Sequence, residues 1–124
     1  MNRSVFIDTR MRDASGIGTY IRGLTGALHE AAKDWSIHTH YSSTPIYSLR
    51  EQLELPRAFA ASRASLFHAP HYNLPAAIVS RCVVTVHDLI HIKFPQFLPS
   101  RLAWTYAQVF FRFLIPPNAS KFAA

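Results

Sequence analysis

This chain has one cysteine, few charged residues and no long apolar run. The single Cys82 excludes an intramolecular disulfide and a zinc site built from several thiolates, and its apolar neighbours indicate a buried small hydrophobe. No run of about 18 apolar residues is present that would predict a membrane-spanning helix. The amino terminus, MNRSVFIDTR, lacks the apolar segment of a signal peptide. The cytoplasm is therefore the expected compartment.

The composition predicts one folded domain with a basic surface. The chain has 124 residues, of which 49% are hydrophobic and only 16% charged, so it is not a disordered sequence. The net charge is +6, but the basic residues are scattered and form no aromatic-basic motif. Nucleic acid is therefore not an expected partner. A solvated basic face, an anionic ligand and a membrane surface remain open as explanations of the charge.

The order of the predicted elements is typical of a parallel sheet. Buried runs predict strands at residues 4–8, 65–68 and 81–86, and the alternating residues 36–41 predict a strand near a sheet edge. An apolar stripe from Ile17 to Ala31 predicts a helix with Ser15 as its N-cap. Gly23 and Gly26 weaken this helix, and we expect them to allow close packing on the sheet.

The remaining segments are less regular. Pro45 and Pro56 are expected to break residues 42–63, which leaves room for one or two helical turns within residues 46–55. A helix that is apolar nearly all round is predicted from Pro99 or Ser100 to residue 115, either buried or facing a membrane. Residues 116–124 contain no obvious element. The predicted fold class is therefore α/β, a Rossmann-like, mostly parallel sheet with helices on both faces.

Polar side chains follow two predicted strands at the points where those strands end. His71, Tyr72 and Asn73 come after the third strand, and His87 with Asp88 follows the run VVTV of the fourth. Ligands of open parallel sheets bind in the crevice beyond the carboxyl ends of the strands. Histidine there can donate to a sugar hydroxyl or a phosphate, or act as an acid or base. These residues are the first site candidates.

A glycine segment lies between the first strand and the first helix. Gly16, Ile17 and Gly18 stand at the predicted helix amino terminus, where free N–H groups and the helix dipole attract an anion. The segment GIGTYI lacks the third glycine of the dinucleotide fingerprint, and no Gly-Lys-Ser/Thr follows. The second strand also lacks a terminal acidic residue, so a dinucleotide-dependent oxidoreductase is a weaker alternative.

The histidines raise the question of a metal site. The pairs His68 with His71 and His87 with His91 have spacings found among metal ligands. They lie at strand-to-loop junctions, however, and no His-Glu-x-x-His motif occurs. We therefore expect no metal.

Three segments together resemble the amino-terminal domain of glycosyltransferase family 4, the group 1 glycosyltransferases of GT-B fold. They are FIDTRMRDASGIGTYIRGL, LFHAPHYNLP and VVTVHDLIHIKFPQFLPSRLAW, in the family's order and spacing, and the resemblance covers residues 4–112. It implies two Rossmann-like domains around a cleft. It also implies the family's reaction: a sugar moves from a nucleotide-sugar donor to the hydroxyl of a sugar or lipid-linked acceptor, with retention of configuration and without a cofactor.

The resemblance also implies roles for the candidate residues. Gly16, Ile17 and Gly18 would face the donor diphosphate, and His87 would contact the transferred sugar, with Asp88 in the same motif. The resemblance places acceptor-side residues at the rim of the cleft, and these would be His71, Tyr72 and Asn73.

The family's nucleotide-binding domain has no counterpart in this sequence. We therefore expect residues 1–115 to be a truncated acceptor-side domain with an irregular tail at 116–124, and to be inactive alone. The full enzyme would lie in the cytoplasm, with possible peripheral contact at the inner face of the membrane. The alternative is a small basic α/β binding module at a membrane surface, without catalysis.

Overall fold

The computed structural model of this chain describes residues 3–71, 74–87, 105 and 122–123. The described elements alternate between strands and helices in the order expected of a parallel sheet. In chain order they are β1 (Ser4–Asp8), α1 (Gly16–Ala31), β2 (Ser36–His40), α2 (Glu51–Ser62), β3 (Leu66–Ala69), a 3-10 helix (Ala76–Arg81), β4 (Cys82–Thr85) and β5 (Phe122–Ala123).

The strands form one sheet in the order β2-β1-β3-β4-β5, and every pairing in it is parallel. In the centre, Phe6 pairs with Phe67 of β3, and Phe67 pairs with Cys82 of β4. The predicted α/β class with a Rossmann-like parallel sheet is confirmed. The predicted edge position of β2 is confirmed too, and its side chains are less buried than those of β1, which is buried throughout.

The face of the sheet under α2 carries an aromatic core. The rings of Phe6 and Phe67 stack with centroids 5.3 Å apart, and the ring of Phe59 from α2 meets both edge-on at 5.9 and 5.7 Å. Leu55, one turn earlier in α2, is fully buried in the same cluster. Edge-to-face and offset contacts of this kind add about 0.5–1.5 kcal/mol per pair beyond area burial, so Phe59 and Leu55 together fix α2 on the sheet.

The opposite face lies under α1. Val5 and Ile7 alternate with Phe6 along β1 and therefore point to this side, where Ile21 of α1 is also buried. The hydroxyl of Tyr20 reaches the sheet at Thr85 of β4, 2.9 Å away. Of the described α-helices, one thus lies on each face, as the prediction of helices on both faces requires.

Two details of α1 differ from expectation. Ser15 occupies the N-cap position, as predicted, but its side chain makes no capping hydrogen bond. Gly23 and Gly26 are exposed, and a Cβ at either position would meet nothing within 4 Å. The predicted close packing of these two glycines on the sheet is therefore wrong, because they lie on the solvent side of the helix.

The prediction for residues 42–63 is also wrong in its boundaries. The helix α2 begins at Glu51 and continues through Pro56 to Ser62. Proline at the sixth helical position removes one backbone hydrogen bond, and the burial of Leu55 and Phe59 on either side of it offsets that loss. The breaking effect of Pro56 was overestimated because packing decides the outcome here.

The predicted irregular tail contains a short strand. Phe122 pairs with Val84 and Ala123 with Thr85, so β5 extends the sheet next to β4. Two residues are too few to show a periodic pattern in the sequence. The helix predicted from residue 99 or 100 to 115 lies, apart from Thr105, outside the described residues. Among the described helices, none has the length and apolar character needed to cross a membrane.

Candidate functional site

Because the sheet is parallel, β1, β3 and β4 end at the same edge. The residues that follow them therefore come together: the loop after β1 leading to α1, Pro70 and His71 after β3, and His87 after β4. This is the edge where open α/β sheets bind their ligands. The sequence prediction placed its candidates here, and the structure describes the main ones among them.

His87 is an exposed side chain held by two contacts. Its Nε2 lies 2.8 Å from the backbone carbonyl oxygen of Pro70, which is buried at the end of β3. On another side the ring of Tyr20 meets the His87 ring edge-on, with centroids 4.8 Å apart and an interplanar angle of 79°. The imidazole is thus fixed between the β3 loop and α1, yet open to solvent.

Tyr20 is itself tied to the sheet through a chain of hydrogen bonds. Its hydroxyl lies 2.9 Å from Oγ1 of Thr85, and that oxygen lies 3.1 Å from Nε2 of His68. Burial lowers the pKa of His68, so the neutral imidazole is favoured there. Sequence reasoning missed Tyr20 and Thr85, because a tyrosine in a helical stripe and a threonine in a strand are both typical of a core.

The two glycines of the segment 16–18 differ in their exposure and in the space around them. Gly16 is exposed at the first residue of α1, and a Cβ there would meet nothing within 4 Å, so a ligand can approach this backbone. Gly18 is buried, and a Cβ there would lie 2.5 Å from the carbonyl oxygen of Arg12. Ile17 between them is half-buried. The geometry therefore leaves Gly16 open to a ligand and uses Gly18 for packing of the loop.

His71 turns away from His87. It is only 7% exposed, and its Nδ1 lies 2.9 Å from the hydroxyl of Tyr47, a residue that packs against the core under α2. Tyr47 has a positive φ of 59°, a conformation that costs free energy in a non-glycine residue. Its backbone N–H donates to Glu51 at 2.9 Å. His71 is therefore part of a packed pair and not an open group at the rim.

A buried ionic cluster lies at this edge, between the end of β1 and the start of α2. The guanidinium of Arg10 donates to both oxygens of Asp8 and, at 2.6 Å, to Glu51, while a further N–H reaches the carbonyl of Thr44 at 3.1 Å. The three side chains are 2%, 5% and 0% exposed. Burial alone would lower the pKa of Arg10, but the hydrogen bonds and charges of Asp8 and Glu51 outweigh it and raise that pKa.

This cluster was missed in the sequence analysis. Its sequence signal was weak, because Asp8 at the end of a strand and Arg10 just after it are ordinarily interpreted as the start of a solvated loop. The cluster joins the start of α2 to the end of β1, and through Glu51 it also holds Tyr47.

The described histidines of the predicted pairs, His68, His71 and His87, do not converge on one point. His68 faces Thr85 under α1, whereas His71 contacts Tyr47 on the side of α2. Within residues 3–71 and 74–87, no group of three histidine, cysteine, aspartate or glutamate side chains could hold a metal ion. The remaining members of the predicted sets lie outside the described residues: Tyr72, Asn73, Asp88 and His91.

Comparisons with known proteins provide no relative. No family model matches this chain, and neither a curated protein nor a solved structure is similar to it at a significant level. The class that the fold and the edge define is therefore an α/β domain with a Rossmann-like parallel sheet.

Proposed function

We propose that this chain forms the acceptor-side wall of a sugar-transfer cleft, in a retaining glycosyltransferase of the GT-B type. The donor would be a nucleotide sugar and the acceptor a hydroxyl of a sugar or of a lipid-linked molecule. Two things support the proposal: the three sequence segments that resemble glycosyltransferase family 4, and the parallel sheet with polar groups at its carboxyl edge.

The observation that carries the proposal is the contact between Tyr20 and His87. Tyr20 lies one turn after Gly16, so the contact brings the histidine after β4 next to the amino terminus of α1. A sugar diphosphate needs both groups at once. Helix N–H groups and the helix dipole favour the phosphate charge, and an imidazole can bond a sugar hydroxyl or phosphate oxygen.

The proposed roles follow from this arrangement. The backbone of Gly16 and Ile17 would approach the diphosphate, with Gly18 keeping the loop in place, and His87 would contact the transferred sugar. Asp88, Tyr72 and Asn73 keep the roles that the resemblance implies.

The role that we propose for His71 differs from that of a side chain that is free to contact the acceptor. Because it is bonded to Tyr47, it would shape the acceptor side of the cleft by fixing the chain at the end of β3.

The experiment is a titration of the 124-residue chain with inorganic pyrophosphate and with UDP-glucose and GDP-mannose, followed by amide and histidine NMR signals. We expect the largest shifts at Gly16, Ile17 and His87. His87→Ala should reduce the affinity for pyrophosphate several-fold. The matched control is His29→Ala, because His29 is an exposed histidine in the last turn of α1, at the other end of that helix from Gly16. Shifts that avoid the carboxyl edge, or that are equal in both variants, would contradict the proposal.

A second candidate function is contact with a membrane surface without catalysis. Leu49 and Leu53 are 79% and 61% exposed, and Arg50 and Arg57 are exposed beside them. Leucines that enter the interface next to arginines that meet anionic headgroups are typical of peripheral binding.

Liposome co-sedimentation at fixed lipid composition tests it. Binding to anionic vesicles should be lost in the double variant Leu49→Ser/Leu53→Ser and kept in Trp35→Ser, which alters an exposed apolar side chain elsewhere. A third variant with Phe110, Phe111 and Phe113 changed to serine tests the carboxyl-terminal helix predicted from the sequence. Equal binding by all variants would exclude both surfaces.

A further inference from the structure

The proton on His87 can be assigned from its partner. A carbonyl oxygen only accepts hydrogen bonds, so the 2.8 Å contact between Nε2 and the Pro70 carbonyl requires a proton on Nε2. In the neutral ring Nδ1 then carries the lone pair. Within the described part of the chain, nothing bonds to Nδ1, and the side chain is exposed.

A single hydrogen bond at Nε2 does not by itself fix the tilt of the imidazole plane. The second contact removes this freedom, because the ring of Tyr20 meets the imidazole at 79°. Edge-to-face packing has a preferred direction, so it favours one orientation of the histidine ring.

Tyr20 can act in this way because it is held at its far end. Thr85 is 3% exposed, and its hydroxyl oxygen lies within hydrogen-bond distance of both Tyr20 and His68. If Thr85 donates to His68 it accepts from Tyr20, and the reverse arrangement also satisfies all three groups. In both arrangements the hydroxyl end of Tyr20 is bonded to the sheet, and its ring packs against His87.

We propose that Tyr20 is the positioning residue of the site. With the Pro70 carbonyl it fixes His87 so that Nδ1, and not Nε2, is the nitrogen that bonds the ligand. This inference rests on the proposed function for the identity of the ligand, a sugar or its diphosphate. The neutral Nδ1 accepts a hydrogen bond from a sugar hydroxyl, and the protonated ring donates Nδ1–H to a phosphate oxygen.

The test combines two measurements on the 124-residue chain. Long-range ¹H–¹⁵N spectra show which ring nitrogen of His87 carries the proton, and ¹³C relaxation of its ring shows how far the ring is immobilised. The variants are Tyr20→Leu, which keeps an apolar side chain without a ring, and Tyr20→Phe, which keeps the ring without the hydroxyl. Thermal unfolding checks that both variants fold.

We expect the Nε2–H form in the wild type and an immobilised ring. Tyr20→Leu should make the ring more mobile and weaken pyrophosphate binding about two- to tenfold, the range expected for one edge-to-face contact. Tyr20→Phe keeps the ring contact but loses the bond to Thr85, so its losses of ring order and of affinity should both be smaller than those of Tyr20→Leu. The conservative variant thus separates the ring contact from a general loss of structure.

The outcomes separate the two proposals. A dominant Nδ1–H form in the wild type, or the same ring order in Tyr20→Leu as in the wild type, would overturn the positioning role. Loss of ring order in Tyr20→Phe as large as in Tyr20→Leu would overturn the ring contact as its cause. If Tyr20 immobilises His87 as expected but pyrophosphate does not bind, the positioning role stands and the proposed glycosyltransferase function fails.

Discussion

Replacing Gly18 by alanine should destabilise the fold, although alanine is the better helix former. Gly18 is the third residue of α1 and is buried against the loop after β1. A methyl group there would lie 2.5 Å from the carbonyl oxygen of Arg12 and 3.1 Å from the guanidinium of Arg22, which donates to that same carbonyl. The backbone of the loop would have to move.

The other glycines of α1 give a reference value for the change in the free energy of unfolding on replacement by alanine. At Gly23 and Gly26 nothing lies within 4 Å of an added Cβ, so alanine should raise the free energy of unfolding by about 0.8–1 kcal/mol at each. At Gly18 the same helical gain is opposed by overpacking, which costs about 1–3 kcal/mol. The helical gain is common to both variants, so the free energy of unfolding should be about 1–3 kcal/mol lower in Gly18→Ala than in Gly23→Ala.

Urea unfolding followed by circular dichroism measures this difference. Gly16→Ala should leave the free energy of unfolding unchanged or slightly higher, since space is open there too, while weakening pyrophosphate binding. A Gly18→Ala protein as stable as Gly23→Ala would refute the packing role of Gly18. A Gly16→Ala protein with unchanged pyrophosphate affinity would show that the exposed backbone does not contact the anion.

Two further predictions concern buried and half-buried charges. Hydrogen bonds from Ser42 and Thr44, and then from His40, lower the pKa of Glu54 from 4.5 to about 2. The stability that this carboxylate contributes should therefore be present above about pH 4.5 and be lost as the pH falls towards 2. Glu54→Gln should flatten this loss in a series of urea titrations; an unchanged pH profile would contradict it. Arg10→Met should cost about 3–5 kcal/mol at pH 7, because it removes the guanidinium that lies between two buried carboxylates. Urea unfolding at pH 7 measures this loss, and an Arg10→Met protein as stable as the wild type would contradict the pairing role of Arg10.

Much of the sheet could be predicted because its strands are short apolar runs with clear ends. β1 was expected at residues 4–8 and lies at Ser4–Asp8, and the stripe from Ile17 to Ala31 corresponds to α1. The boundaries of α2 could not be predicted, because local propensity opposes a helix around Pro56. Leu55 and Phe59 stabilise that helix only once Phe6 and Phe67 lie beneath it, and those contacts are remote in sequence.

The candidate site shows the same division between local and remote information. His87 could be singled out because the run VVTV predicts a strand that ends just before it. What holds His87 could not be predicted, since the carbonyl of Pro70 lies 17 residues earlier in the chain, and the hydroxyl of Tyr20 meets Thr85 across a separation of 65 residues. Both contacts depend on the order β1-β3-β4 within the sheet, and an apolar pattern carries no information on strand order. For the same reason His71 was expected at an open rim, whereas Tyr47 buries it. A histidine at the end of a strand is therefore a candidate from sequence alone, but only the neighbouring strand and helix decide whether it is open to a ligand, as at His87, or closed, as at His71.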